Sequence, residues 1–146
     1  NYTFNEAHGG EKVAPQTFHL AEGGRHLMLR KGSMGMAITE ISDEPTEDGF
    51  CPSINRLFSS AAEVWGGRVI AVILTGMGTD GTRGAGVLKQ KGAFIIAQDE
   101  KSSVVWGMPG SAVETGCVDL VLPLESIPEA ISMEIQTRNS KKEPVE

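Results

Sequence analysis

The stretch Val72 to Gly86, VILTGMGTDGTRGAG, holds the residues best placed to do chemistry. An apolar, β-branched run stops at Thr75, and Gly76-Met77-Gly78-Thr79-Asp80-Gly81 follows, matching the G-x-G-x-x-G pattern of a dinucleotide cradle. Asp99 or Glu100, about 20 residues further on, stands where an acid would hold a ribose. Asp80 argues the other way, because it puts a negative charge where a helix N-terminus would attract phosphate. Two roles suit such an acid. It can cap the helix that follows, or it can orient a catalytic histidine from a strand end where glycines let the chain reverse. A carboxylate has lone pairs enough for both.

Other candidates have simpler explanations. Ser53 lacks a G-x-S-x-G elbow and reads as a helix N-cap rather than a nucleophile. Ser102 and Ser103 read as polar loop residues. Gly107-Met108-Pro109 is expected to shape a cleft wall, with Trp106 either touching substrate or filling the core. His8, His19 and His26 are scattered, and a lone histidine becomes a base only through geometry. Cys51 and Cys117 have no metal-binding spacing and no nearby histidine pair, so they are expected to be buried free thiols and not zinc ligands.

Periodicity indicates what positions these residues. QTFHLA reads as a strand, and HLMLRK with MGMAITE as a hairpin. Ser53 opens a helix whose apolar residues from Ile54 to Trp65 share a face, and Gly66-Gly67 ends it. RVIAVILT, a helix over Thr82–Lys91, AFIIAQ, a helical turn over Ser111–Thr115, VDLVL and a helix over Glu125–Gln136 then alternate as β/α units. The expected fold is α/β, a three-layer, doubly wound, mostly parallel sheet with an antiparallel hairpin and Val69–Thr75 as central strand. Functional loops then lie beyond the carboxyl ends of the strands, as Gly76–Gly81 does.

A chain of 146 residues, 40% apolar and 22% charged, fits one soluble globular domain, expected over 1–137 with a disordered tail at 138–146. A net charge of −6 with scattered basic residues disfavours nucleic acid. The apolar run Val69–Leu74 is far short of the roughly 20 residues that span a bilayer, so no membrane insertion and a cytoplasmic location are expected.

The run from Val72 through TGMGTDG, AQDEKSSVVWGMPGSAVETG and VDLVLPLESI resembles the carboxyl-terminal catalytic domain of the CheB chemotaxis methylesterases. NEAHGGEKVAPQTFHLAEGGRHLMLR and CPSINRLFSSAAEVWG resemble the same domain in order and spacing. The resemblance implies a Ser-His-Asp hydrolase that demethylates receptor glutamyl esters and deamidates receptor glutamines without a cofactor. It implies that Asp80 is the catalytic acid and Met77 the backbone oxyanion donor, with Gly76, Gly78, Trp106, Gly107 and Met108 as substrate-cleft candidates. Its implied partners are methyl-accepting chemotaxis receptors, a receiver domain and the chemotaxis kinase. The family's serine and histidine match nothing here, since both precede the NEAHGGEKV region. The family's Arg-Pro-Ser-Val-Asp is Cys51-Pro52-Ser53-Ile54-Asn55 in this sequence. Two other readings remain open: a dinucleotide-binding oxidoreductase module, and a noncatalytic remnant that binds receptor or regulator.

Overall fold

β-branched residues favour the extended chain, and the run after Gly66-Gly67 forms β5 (Ile70–Ile73). It pairs in parallel with β6 (Phe94–Gln98), which pairs in parallel with β7 (Leu120–Leu122). Upstream, β1 (Thr3–Glu6) and β2 (Thr17–Leu20) make a separate parallel pair. β3 (His26–Lys31) and β4 (Ala37–Ser42) make the expected antiparallel hairpin. The structure is a computed structural model and describes residues 2–141.

The helices follow their capping signals. α1 (Ile54–Trp65) starts at Ser53, whose hydroxyl accepts the Arg56 N–H at 3.4 Å, and ends at Gly66 with φ +59°. α2 (Thr82–Gln90) starts after Gly81, a glycine at φ +90°. α3 (Met108–Glu114) begins three residues before the expected turn, because Pro109 lies in its first turn, where a missing N–H costs nothing. α4 spans Ile127–Ser140. Arg138 to Ser140, expected in the tail, are therefore helical, and residues 142–146 lie outside the described residues.

Alternation along the strands builds the layers. Ala71, Ile73 and Ile95 point to one face and pack with Ala61 and Ala62 of α1, Ala85 and Leu88 of α2, and Ala112 of α3. On the opposite face Ile70 lines a cleft with Ile131 and Ile135 of α4, and Phe94 and Leu120 line another with Ala130 and Met133. Arg138 donates to the Gly67 carbonyl at 2.7 Å, tying α4 to the start of β5. The result is the expected three-layer α/β arrangement.

Strand order differs from the expectation. Among the described residues β5 has one neighbour and β6 lies in the middle. β6 is almost wholly buried, whereas β5 alternates half-buried and buried residues. An apolar run reports burial, and burial alone does not order the strands. β1 had no apolar run to announce it. It is held by its pairing with β2 and by the Phe4 and Phe18 rings, stacked at 4.5 Å.

Candidate active site

Beyond β5 the chain is clasped by the loop after β6. The Thr75 N–H donates to Gln98 Oε1 at 2.8 Å, and the Gly76 N–H to the Val105 carbonyl at 3.0 Å. The Thr75 hydroxyl accepts the Val105 N–H and donates to the Val105 carbonyl, both at 3.0 Å. The Met108 N–H, at the start of α3, donates to the Gly76 carbonyl at 2.9 Å. In a trans peptide the carbonyl and the N–H point opposite ways. Fixing the Gly76 carbonyl on α3 therefore aims the Met77 N–H away from it. Among the described residues that N–H has no acceptor, and the Met77 side chain is 81% exposed.

The clasp explains the glycines. A Cβ at Gly107 would stand 2.8 Å from the Gly76 carbonyl oxygen and 2.9 Å from Gly78 N, contacts that backbone cannot relieve. A Cβ at Gly76 would overlap Met108 Cε, and Gly78 has φ +90°. Gly76, Gly78, Gly107 and Met108 thus meet as two backbones in contact. Trp106 donates its indole N–H to the Gln98 carbonyl at 2.9 Å and packs its ring over Gly110.

Asp80 is 3% exposed. Its Oδ2 accepts the Ile54 N–H at 2.7 Å, and its Oδ1 accepts the N–H groups of Asn55 at 3.0 Å and Gly81 at 2.9 Å, and the Ser53 hydroxyl at 3.3 Å. The helix it caps is therefore α1, which precedes it by 26 residues, and not α2, which follows. The cap and the positive end of the α1 dipole both favour a carboxylate there. Among the described residues Oδ2 has one donor, and it keeps a lone pair for another.

Ser53 is the helix cap expected of it, and its hydroxyl is engaged with Asp80. The buried His26 accepts the Ser53 N–H on Nδ1 at 3.1 Å and so braces the start of α1. His8 and His19 lie in the amino-terminal part, His19 on β2. Ser102 and Ser103 are tied to the Asp99 turn: Ser102 Oγ donates to Asp99 Oδ1, and Ser103 Oγ to the Asp99 carbonyl, both at 2.6 Å. The Ser102 hydroxyl first, and the Ser102 N–H next, hold the Asp99 carboxyl below the usual carboxylate range.

The dinucleotide reading fails on this geometry. Three of the amides that would grip a pyrophosphate at the start of α2 have partners: Gly81 N–H on Asp80, Thr82 N–H on the Thr79 carbonyl, and Gly84 N–H on Asn55 Oδ1 at 2.9 Å. Asp99, the proposed ribose acid, is committed to its own turn. Cys117 is buried, but Cys51 is exposed, against expectation, because it lies in the irregular segment before α1. A cleft of about 850 Å³ between the β3–β4 hairpin and α1 includes neither Asp80 nor Met77, so its size does not mark the chemistry.

Sequence reasoning missed the links between elements. Asn55 joins α1 to α2 through Gly84 and donates to Asp48 at 3.2 Å. Gln98 joins the two loops of the site. A polar residue closing an apolar strand, as in AFIIAQ, was the one signal that could have marked it.

The description CheB methylesterase belongs to a family whose model matches residues 1–131. A protein-glutamate methylesterase/protein-glutamine glutaminase 2 of Caulobacter vibrioides is 46% identical over 126 residues, covering 86% of this chain and 36% of the relative. One of the group 3 operon of Rhizobium meliloti is 48% identical over 130 residues, with 89% of this chain and 36% of that protein covered. The chain thus spans about a third of the length of the curated relatives it matches. The CheB methylesterase catalytic domain of Thermotoga maritima superimposes with a TM-score of 0.82 at 40% identity, over 86% of this chain and 66% of that domain. The acid at the end of β5, the glycine clasp around it and the α/β layers beneath all lie inside the matched region, and the chain belongs to the CheB methylesterase family.

Proposed function

We propose that this chain supplies the acid and one oxyanion donor of a Ser-His-Asp hydrolase acting on the glutamyl methyl esters and glutamine amides of methyl-accepting chemotaxis receptors. The observation that carries this reading is the pairing on one loop of a buried, oriented Asp80 carboxylate with a Met77 N–H that has no acceptor among the described residues. In this reading a serine and a histidine of the family's pattern complete the triad. Gly76, Gly78, Trp106, Gly107 and Met108 form the cleft wall.

The chemistry runs in two displacements. The histidine takes the serine proton as Oγ attacks the ester carbonyl, and the imidazolium that forms is stabilised by Asp80 through the free lone pair of Oδ2. The carbonyl oxygen becomes an oxyanion and accepts the Met77 N–H, a donor already aimed by the Gly76–Met108 bond. Collapse of the tetrahedral intermediate passes the proton to the departing methoxide and releases methanol. Water, deprotonated by the same histidine, then attacks the acyl-serine and frees the glutamate. With a glutamine the leaving group is ammonia. The reading places the reaction in the cytoplasm, with a receiver domain and the chemotaxis kinase as regulatory partners. Among the described residues no helix is long and apolar enough to cross a membrane.

The test is methanol release from methylated receptor by the natural full-length polypeptide, beside the 146-residue chain alone. The full-length protein is expected to turn over, and the isolated chain to release no methanol above the blank. Comparable rates would mean that a serine and a histidine among these residues form the site. Receptor binding by the full-length protein without turnover would favour the noncatalytic reading.

A further inference from the structure

Gln98 closes β6 with its side chain 1% exposed, and both ends of its amide are used. Oε1 accepts the Thr75 N–H at 2.8 Å. Nε2 donates to the Ser102 carbonyl at 2.8 Å and to Ser102 Oγ at 3.1 Å. Its backbone carbonyl accepts the Trp106 indole at 2.9 Å. One residue therefore holds the end of β5, the Asp99–Ser102 turn and the Trp106 wall. A fully buried amide is costly unless every polar atom is paired, and a pairing this complete selects one arrangement of the groups around it.

Resting on the hydrolase reading above, we propose that Gln98 is a positioning residue for the Met77 oxyanion donor. Thr75 is two residues from Met77, and two further clasps continue what Gln98 begins: the Thr75–Val105 hydroxyl pair and the Gly76–Met108 bond. Together they fix the chain from Thr75 to the Gly76 carbonyl, and that carbonyl sets the Gly76–Met77 peptide plane. An oxyanion donor works only if it is within about 3 Å of where the charge develops, so a shift of this plane is felt in the transition state more than in substrate binding.

The roles of the two atoms differ, which makes the proposal specific. Gln98→Met keeps the length and loses every side-chain bond. Gln98→Glu keeps an acceptor for Thr75 but turns a second oxygen toward the Ser102 carbonyl. Thr75→Val removes the hydroxyl pair from the exposed side of the clasp, and Thr75→Ser keeps it.

The experiment measures kcat and KM for methanol release from methylated receptor in the full-length protein, with the thermal midpoint of each variant. Gln98→Met is expected to lower kcat about 10- to 100-fold while KM changes by less than about twofold. Gln98→Glu is expected to fall between it and wild type. Thr75→Val is expected to lower kcat in the same direction, and Thr75→Ser to restore it. If Gln98→Met does not fold, Gln98→Glu, which keeps the Thr75 bond and loses the donor to Ser102, decides the matter by the same kcat criterion. Wild-type kcat in a folded Gln98→Met, or in Gln98→Glu where Gln98→Met does not fold, would overturn this inference alone. A silent wild-type protein would overturn it together with the hydrolase reading.

Discussion

Asp80 Oδ2 lies 2.7 Å from the Ile54 N–H, so the acid that follows β5 closes the amino-terminal end of a helix that lies before β5 in the chain. The site is built across sequence, and Asp80 has a structural duty beside the chemical one proposed for it.

That dual duty changes what Asp80→Asn should do. Four donors converge on the carboxylate, and an asparagine must turn its own NH₂ toward at least one of them. A stability loss of about 1–3 kcal/mol is expected in denaturant unfolding, from the unmet donor. Turnover of the full-length protein is expected to fall by about 10⁴-fold, as when the acid of a Ser-His-Asp triad loses its charge. A variant with near-normal turnover would refute the orienting role.

Gly107→Ala should damage stability and the site together. The added methyl meets the backbone of Gly76 and Gly78 at 2.8 to 3.1 Å, and neither strand of the clasp can yield without breaking the Met108–Gly76 bond. A loss of about 1–3 kcal/mol is expected on urea unfolding. Gly86→Ala is the control, since nothing lies within 4 Å of that Cβ and alanine favours the helix.

Glu11 offers a pH signature remote from the site. The Thr39 hydroxyl first, and the His8 N–H next, lower its carboxyl from 4.5 to about 2. A folded-state value below the unfolded one means that this stability is complete above about 4.5 and is lost as pH falls toward about 2. Glu11→Gln is therefore expected to melt below wild type at pH 7, with the gap narrowing between pH 4.5 and 2. A pH-independent gap in the thermal midpoints would rule this out.

Asn55 links α1 to its neighbours through an amide that is used at both ends. Oδ1 accepts the Gly84 N–H and Nδ2 donates to Asp48 Oδ2. Asn55→Asp keeps the first bond and sets a second carboxylate against Asp48, so its thermal midpoint should drop, more so at low salt. Adding Asp48→Asn should restore most of the loss. Failure of the double variant to recover would show that the pair does not carry the effect.

Much of the fold could be read from the sequence because local rules governed it. The Ser53 cap and the Gly66 stop set α1 as expected, and the alternation of apolar runs with helical faces set the β/α units. Where the reading slipped, a non-local term had won. Parallel pairing with β2 made a strand of Thr3–Glu6, which has little apolar character of its own. α4 ran on to Ser140 because Arg138 reaches the Gly67 carbonyl and pairs with Glu134.

The sequence by itself determined the glycine loop at a strand end, the carboxylate within it and, through the resemblance it carries, the family. Types and spacings along one segment were enough, since turn and cap preferences act over a few residues. Only the tertiary structure decided which helix Asp80 caps, that Gly107 must lack a side chain, that three of the amides a dinucleotide would need are taken, and that Gln98 joins both walls of the site. The deciding ones are distance relations between groups 23 to 31 residues apart. They exist only once burial of the apolar faces has brought the strand ends together, because hydrogen bonds of 3 Å have no expression in a pattern of residue types.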